Sequence, residues 1–257
     1  MNDPVNIEDN FTWYTFGQSV LTYRALPEMV DAINSHYEKL LRENKLPNLN
    51  ERKGPVEKIN DAYSIYYNGV DTANFPRHNF LPPAILEWME ARVKHYLEWN
   101  SITHRGIKTQ FAWVNDYKAG DYNPLHTHTG DYNMFKSPLE KKPWMWGVAI
   151  MIILKLPTDM GQEQAKNNYN PKNGALEIIG PFSSALSSVA KRSLIPELVE
   201  GSVVVFPYDM LHTVYPHFNE NEIRRTMPFN VDVYLDDDVI TEEQENYDLR
   251  YNDKKDK

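Results

Sequence analysis

The second half of the chain most narrows what it can fold into. From Gly106 onward, alternating and short apolar runs succeed one another: IKTQFAWVNDY, WMWGVAIMIILKLP, GALEIIG, GSVVVFP, MLHTVYP and RRTMPFNVDVYL. Half a dozen strands separated by Gly, Pro and Asn turns predict a sandwich or jelly roll. The first half is organised differently. FTWYTFGQSVLTYRA suits one or two short strands, and Pro27 then opens a helical stretch in which Met29, Val30, Ile33, Tyr37, Leu40 and Leu41 recur at helical spacing. Lys45 to Arg77 is polar and rich in Asn, Pro and Gly, so it reads as loop with one candidate strand at YSIYY. A second helix follows Pro82 and Pro83, with Ile85, Trp88, Met89, Val93, Tyr96 and Leu97 as its apolar stripe. The fold class expected is mainly β with helices (α+β).

Composition removes several classes of function. With 257 residues and no linker-like stretch, a single domain over 1–257 is expected. The chain has no Cys, which excludes disulfides and thiolate metal sites and leaves His, Asp and Glu as ligands. That usage, with an acidic N-terminus lacking an apolar core, makes a soluble cytoplasmic protein with no membrane partner the expectation. A net charge of −9 and a pI near 5.4 argue against general nucleic-acid binding. Oligomeric state is not readable.

The chemistry concentrates in three histidines. His126 and His128 lie one residue apart in NPLHTHTG, and His212 follows in FPYDMLHTVYP. Residues i and i+2 on a strand project from one face, so two imidazoles can close on one metal while a third arrives from a partner strand. Beyond His212 come Arg224 and Arg225 in RRTMPFNVDV. Alternation favours Arg224 over Arg225 as the residue facing the site, because Arg224 shares a face with Thr226, Pro228 and Asn230. His217, past Pro216, reads as a surface loop residue. His36, His78, His95 and His104 carry no constellation.

These residues resemble the Fe(II)/2-oxoglutarate-dependent oxygenase superfamily, and within it the phage and bacterial branch with H-x-H. WVNDYKAGDYNPLHTHTG looks like the strand and turn leading to the family's first ligand, and GSVVVFPYDMLHTVYPHFNENEIRRTMPFNVDV looks like its closing strands. The likeness covers about residues 107 to 235. It implies a double-stranded β-helix (jelly roll, cupin-like) over 106–236, supported by the strands and helices of 1–105, with 237–257 as a charged tail. It also implies Fe(II) and 2-oxoglutarate as cofactors, with O2 consumed, succinate and CO2 released, and an unidentified substrate hydroxylated. His126 matches the first ligand, His212 the distal one, and Arg224 the partner of the distal carboxylate of 2-oxoglutarate. Asn115, Tyr117 and Asn230 fall where relatives contact the cosubstrate.

One position departs from the pattern. His128 stands where most of the superfamily has a carboxylate, so the ferrous site gains one unit of net charge and its potential should rise. Asp131 is the alternative ligand, if the Gly130 turn folds it back. The stretch from Asp131 to Pro143 looks like an insertion and a candidate lid, and Trp144 and Trp146 could wall a pocket. Two further readings remain open. One is a cupin-type three-His metalloenzyme without 2-oxoglutarate; the other is a non-enzymatic jelly-roll binding or assembly module.

Overall fold

Strand β7 (Gly147–Lys155), GVAIMIILK, is buried along nearly its whole length because both of its faces are covered. Val148, Ile150, Ile152 and Leu154 face one apolar core, and Ala149, Met151 and Ile153 face another. The same division runs through its neighbours in the sheet and defines the architecture.

The computed structural model describes residues 12–15, 19–49, 59, 61–69, 75–128, 147–161, 172–180 and 193–235. The elements before β7 are β1 (Thr12–Thr15), β2 (Ser19–Arg24), α1 (Pro27–Arg42), β3 (Asp61–Tyr67), β4 (His78–Asn79), α2 (Pro83–Trp99), β5 (His104–Tyr117) and β6 (Asn123–His126). After it come β8 (Leu176–Ile179), β9 (Ser193–Leu194), β10 (Ser202–Pro207), β11 (Leu211–Val214) and β12 (Arg224–Leu235).

An eight-stranded sheet has the order β1-β2-β10-β7-β12-β5-β3-β4, and a four-stranded sheet the order β6-β11-β8-β9. From β5 to β12 the chain shuttles between the two sheets: β5 large, β6 small, β7 large, β8 and β9 small, β10 large, β11 small, β12 large. All recorded pairings are antiparallel. This winding is a double-stranded β-helix, the jelly roll expected.

Both helices pack on the outer face of the large sheet. Pro27 starts α1, Glu28 lies in its first turn and Lys39 and Arg42 in its last, signs that suit the helix dipole. Val30, Ile33, Tyr37 and Leu40 of α1, with Ile85, Met89, Val93, Tyr96 and Leu97 of α2, meet Val203, Val205, Met227, Phe229 and Val231 of the sheet. The second core fills the space between the sheets with Ala149, Met151, Ile153, Leu176, Ile178, Val204, Phe206 and Val214. At one end of that inner space the apolar lining gives way to polar side chains.

Among the described residues no helix is long and apolar enough to cross a membrane. The expected lid, Asp131, Trp144, Trp146 and the charged tail lie outside the described residues.

Candidate metal centre

Cross-strand pairing brings the first and distal histidines together. His212 on β11 pairs directly with His126 on β6, so both side chains point inward from the small sheet. His128 lies just past the end of β6, where its backbone N–H donates to the Tyr208 carbonyl at 2.7 Å. One ring nitrogen from each of the three histidines falls within 4.8 Å of the other two, with Nε2 of His128 and Nε2 of His212 3.0 Å apart.

The far nitrogens explain how these rings are aimed. His126 Nδ1 donates to the Pro124 carbonyl at 2.6 Å, and His212 Nδ1 to the Met210 carbonyl at 2.9 Å. His128 Nδ1 meets the Asn230 side-chain oxygen at 2.5 Å. A carbonyl oxygen only accepts, so each Nδ1 carries the proton and each Nε2 presents a lone pair. The Nε2 lone pairs of His128 and His212 then face each other, and that of His126 has the Asn123 side-chain amide 3.4 Å away. That donor set is satisfied by a cation, and neutral imidazole is the protonation state a metal requires.

Electrostatics keep the rings neutral. His212 is 4 % exposed, and burial drives its pKa well below the ordinary histidine value, with the other two imidazoles adding to the effect. His128 retains some exposed surface, but its ring is enclosed by Trp113, Phe206, Tyr208 and the other two histidines. Desolvation pushes its pKa down to about 4, against a smaller opposing effect of the Asn230 hydrogen bond. His126 is lowered in the same direction by desolvation.

The inner face of the large sheet supplies the other half of the hollow. Arg224 and Tyr117 are cross-strand partners on β12 and β5, as are Thr226 and Asn115. Arg224 is 0 % exposed, its guanidinium lies 5.0 Å from the centre of the Tyr117 ring, and none of its three nitrogens has a hydrogen-bond partner among the described residues. Burial lowers its pKa, and the Tyr117 phenol, close enough to act on the guanidinium though not in hydrogen-bond geometry, works in the opposite direction. Both amide atoms of Asn115, Thr226 Oγ1 and the indole nitrogen of Trp113 are likewise buried without a partner. Buried polar atoms are normally satisfied, so this cluster along one strip of β5 and β12, with the Arg224 cation among it, could serve a polar ligand.

Arg225 has the opposite character. It donates to Asp116 from Nε at 2.6 Å and from Nη2 at 3.0 Å, and to Glu38 and Asn34 of α1 from Nη1. It is a buried structural cation facing the helices.

One sequence expectation is corrected. His217 is no surface residue: it is 1 % exposed and Nε2 bonds the Tyr117 carbonyl at 3.0 Å. Asn230 Oδ1 meets His128, a contact the sequence did not suggest. Thr226 was not singled out as a polar lining residue, because a lone Thr in a strand reads as an ordinary β-former. Its position two residues from Arg224 was the available signal.

No family model and no curated protein matches the chain. Solved structures of similar shape include a Pseudomonas putida prolyl-4-hydroxylase, 12% identical over 89% of this chain and 94% of that one, at a TM-score of 0.49. An oxidoreductase of the 2OG-Fe(II) oxygenase family from Burkholderia pseudomallei is 15% identical, over 83% and 84% of the two chains, with a TM-score of 0.47. A viral collagen prolyl hydroxylase from Paramecium Bursaria Chlorella virus-1, solved as a 2OG complex, is 12% identical over 82% and 94%, at 0.46.

Proposed function

We propose that this protein is an Fe(II)- and 2-oxoglutarate-dependent oxygenase that hydroxylates a substrate not yet identified. Two observations support the reading: three imidazoles whose ring nitrogens converge, and, on the face of β12 that also carries Asn230, a buried arginine that has the Tyr117 ring beside it and no carboxylate partner among the described residues. His126, His128 and His212 would hold the iron, leaving positions open for two oxygens of a 2-oxo acid and for O2. When bound, the iron would let O2 act as the oxidant, with 2-oxoglutarate as co-reductant, oxidised to succinate and CO2 with one oxygen atom, while the other oxygen atom goes to the substrate.

The chain's own residues bind, orient and exclude. Arg224 presents a planar fork that matches the distal carboxylate of 2-oxoglutarate, and its unmade hydrogen bonds become charge-assisted ones when that carboxylate arrives. Thr226 and Asn115 add a hydroxyl and an amide along the same strip. Tyr117 covers the guanidinium and keeps water from competing for it. The depressed pKa values of the three imidazoles keep them in the metal-binding form at neutral pH.

Arg224 also separates this reading from a three-His cupin, which offers no reason to bury a lone guanidinium on the inner face of β12. The test is turnover of 2-oxoglutarate to succinate by the Fe(II)-loaded protein, followed without a primary substrate. Slow succinate release that disappears in His212→Ala supports the proposal, and identical traces for the two proteins contradict it.

A further inference from the structure

We infer that Asn230 is a positioning residue that fixes His128 as a neutral third metal ligand. The inference rests on the reading of the three imidazoles as ligands and adds a role for a residue on the opposite sheet.

His126 and His212 are each oriented by a backbone carbonyl two residues earlier, Pro124 and Met210. Such braces come with the strand and cannot be removed by a side-chain change. His128 has no equivalent. It lies beyond the end of β6, and its Nδ1 reaches across the hollow to the Asn230 side chain on β12 at 2.5 Å. Ring packing by Trp113, Phe206 and Tyr208 adds support, and the Tyr208 carbonyl also takes the His128 backbone N–H. Asn230 is therefore the side-chain hydrogen bond that sets the His128 tautomer.

The identity of the brace matters as much as its position. An amide oxygen accepts the Nδ1 proton without adding charge, so His128 points an Nε2 lone pair at the metal while remaining a neutral donor. A carboxylate there would make the imidazole a stronger, partly anionic donor. A purely apolar side chain would let the ring rotate or change tautomer, turning an N–H toward the other two rings. Since β12 carries both Asn230 and Arg224 on its inner face, one strand would brace the metal ligand and hold the cosubstrate.

The experiment is a Co(II) titration of the metal-stripped protein, read by the visible ligand-field bands, on wild type, Asn230→Leu, Asn230→Ala and Asn230→Asp. Thermal unfolding of each metal-free variant establishes that it is folded. A loss of the brace should weaken Co(II) binding about 10- to 100-fold in Asn230→Leu and Asn230→Ala and alter the band shape, whereas Asn230→Asp binds at least as tightly as wild type. At saturating Co(II), 2-oxoglutarate affinity should be equal in wild type and Asn230→Leu. Unchanged Co(II) affinity in Asn230→Leu and Asn230→Ala, with 2-oxoglutarate affinity lost instead, overturns the inference and makes Asn230 a cosubstrate contact. Wild type that binds no Co(II) overturns it together with the metal reading itself.

Discussion

The two faces of β12 carry neighbouring arginines with opposite surroundings. On the outer face Arg225 is held by Asp116, Glu38 and Asn34, sits over the Tyr37 ring, and ties α1 to the sheet. On the inner face Arg224 is more deeply buried and has no hydrogen-bond partner among the described residues. Burying a charge is costly unless it is compensated, and the inner arginine has only the Tyr117 ring beside it, so the outer arginine serves stability while the inner one, on the proposed reading, serves a ligand. The difference separates what the fold needs from what the site needs within two consecutive residues.

The largest expected effect breaks the outer face. Arg225→Leu leaves Asp116 buried without its cation and should cost about 3–5 kcal/mol, read as a fall in the urea unfolding midpoint. The matching change on the inner face, Arg224→Leu, should leave the midpoint unchanged or raise it, while weakening 2-oxoglutarate binding roughly 10- to 100-fold, since hydrogen bonds to charged groups are worth about 1.5–3 kcal/mol. If both variants lose stability equally, the contrast between the faces is gone.

Acid titration sharpens the same contrast. The three inner histidines have pKa values lowered by burial, so the unfolded chain takes up protons that the metal-free fold resists. Stability is therefore present above the ordinary histidine pKa and lost as pH falls from about 6.5 toward about 4, by about 1.4 kcal/mol per pH unit for each imidazole involved. Urea midpoints measured across that window should fall less steeply for His128→Gln than for wild type, and equal slopes would contradict the burial argument. The smallest effect is expected from Thr226→Val. Removing an unpartnered hydroxyl should change stability by less than about 1 kcal/mol, and weaken 2-oxoglutarate severalfold in a calorimetric titration.

Much of the architecture was legible because it rests on short-range patterning. The run containing GVAIMIILK read as a strand and the Pro-led apolar stripes of α1 and α2 read as helices, as the structure has them; that the strand is covered on both faces emerges only from the packing. Alternation separated Arg224 from Arg225 because a strand has a period of two wherever it lies. What escaped depends on register across the barrel. Nothing local to Asn230 says that His128 will arrive opposite it, and Pro216 before His217 suggested a surface corner where the chain instead turns inward to bond the Tyr117 carbonyl.

The most direct measurement is an anaerobic titration of the metal-free protein with Fe(II) and then 2-oxoglutarate, followed by visible absorption, for wild type and Arg224→Leu side by side. A weak charge-transfer band that grows with 2-oxoglutarate in wild type, and needs roughly 10- to 100-fold more of it in Arg224→Leu, is the predicted result. Absence of the band in wild type, or half-saturation at the same 2-oxoglutarate concentration in both proteins, would contradict the pairing of the three imidazoles with Arg224.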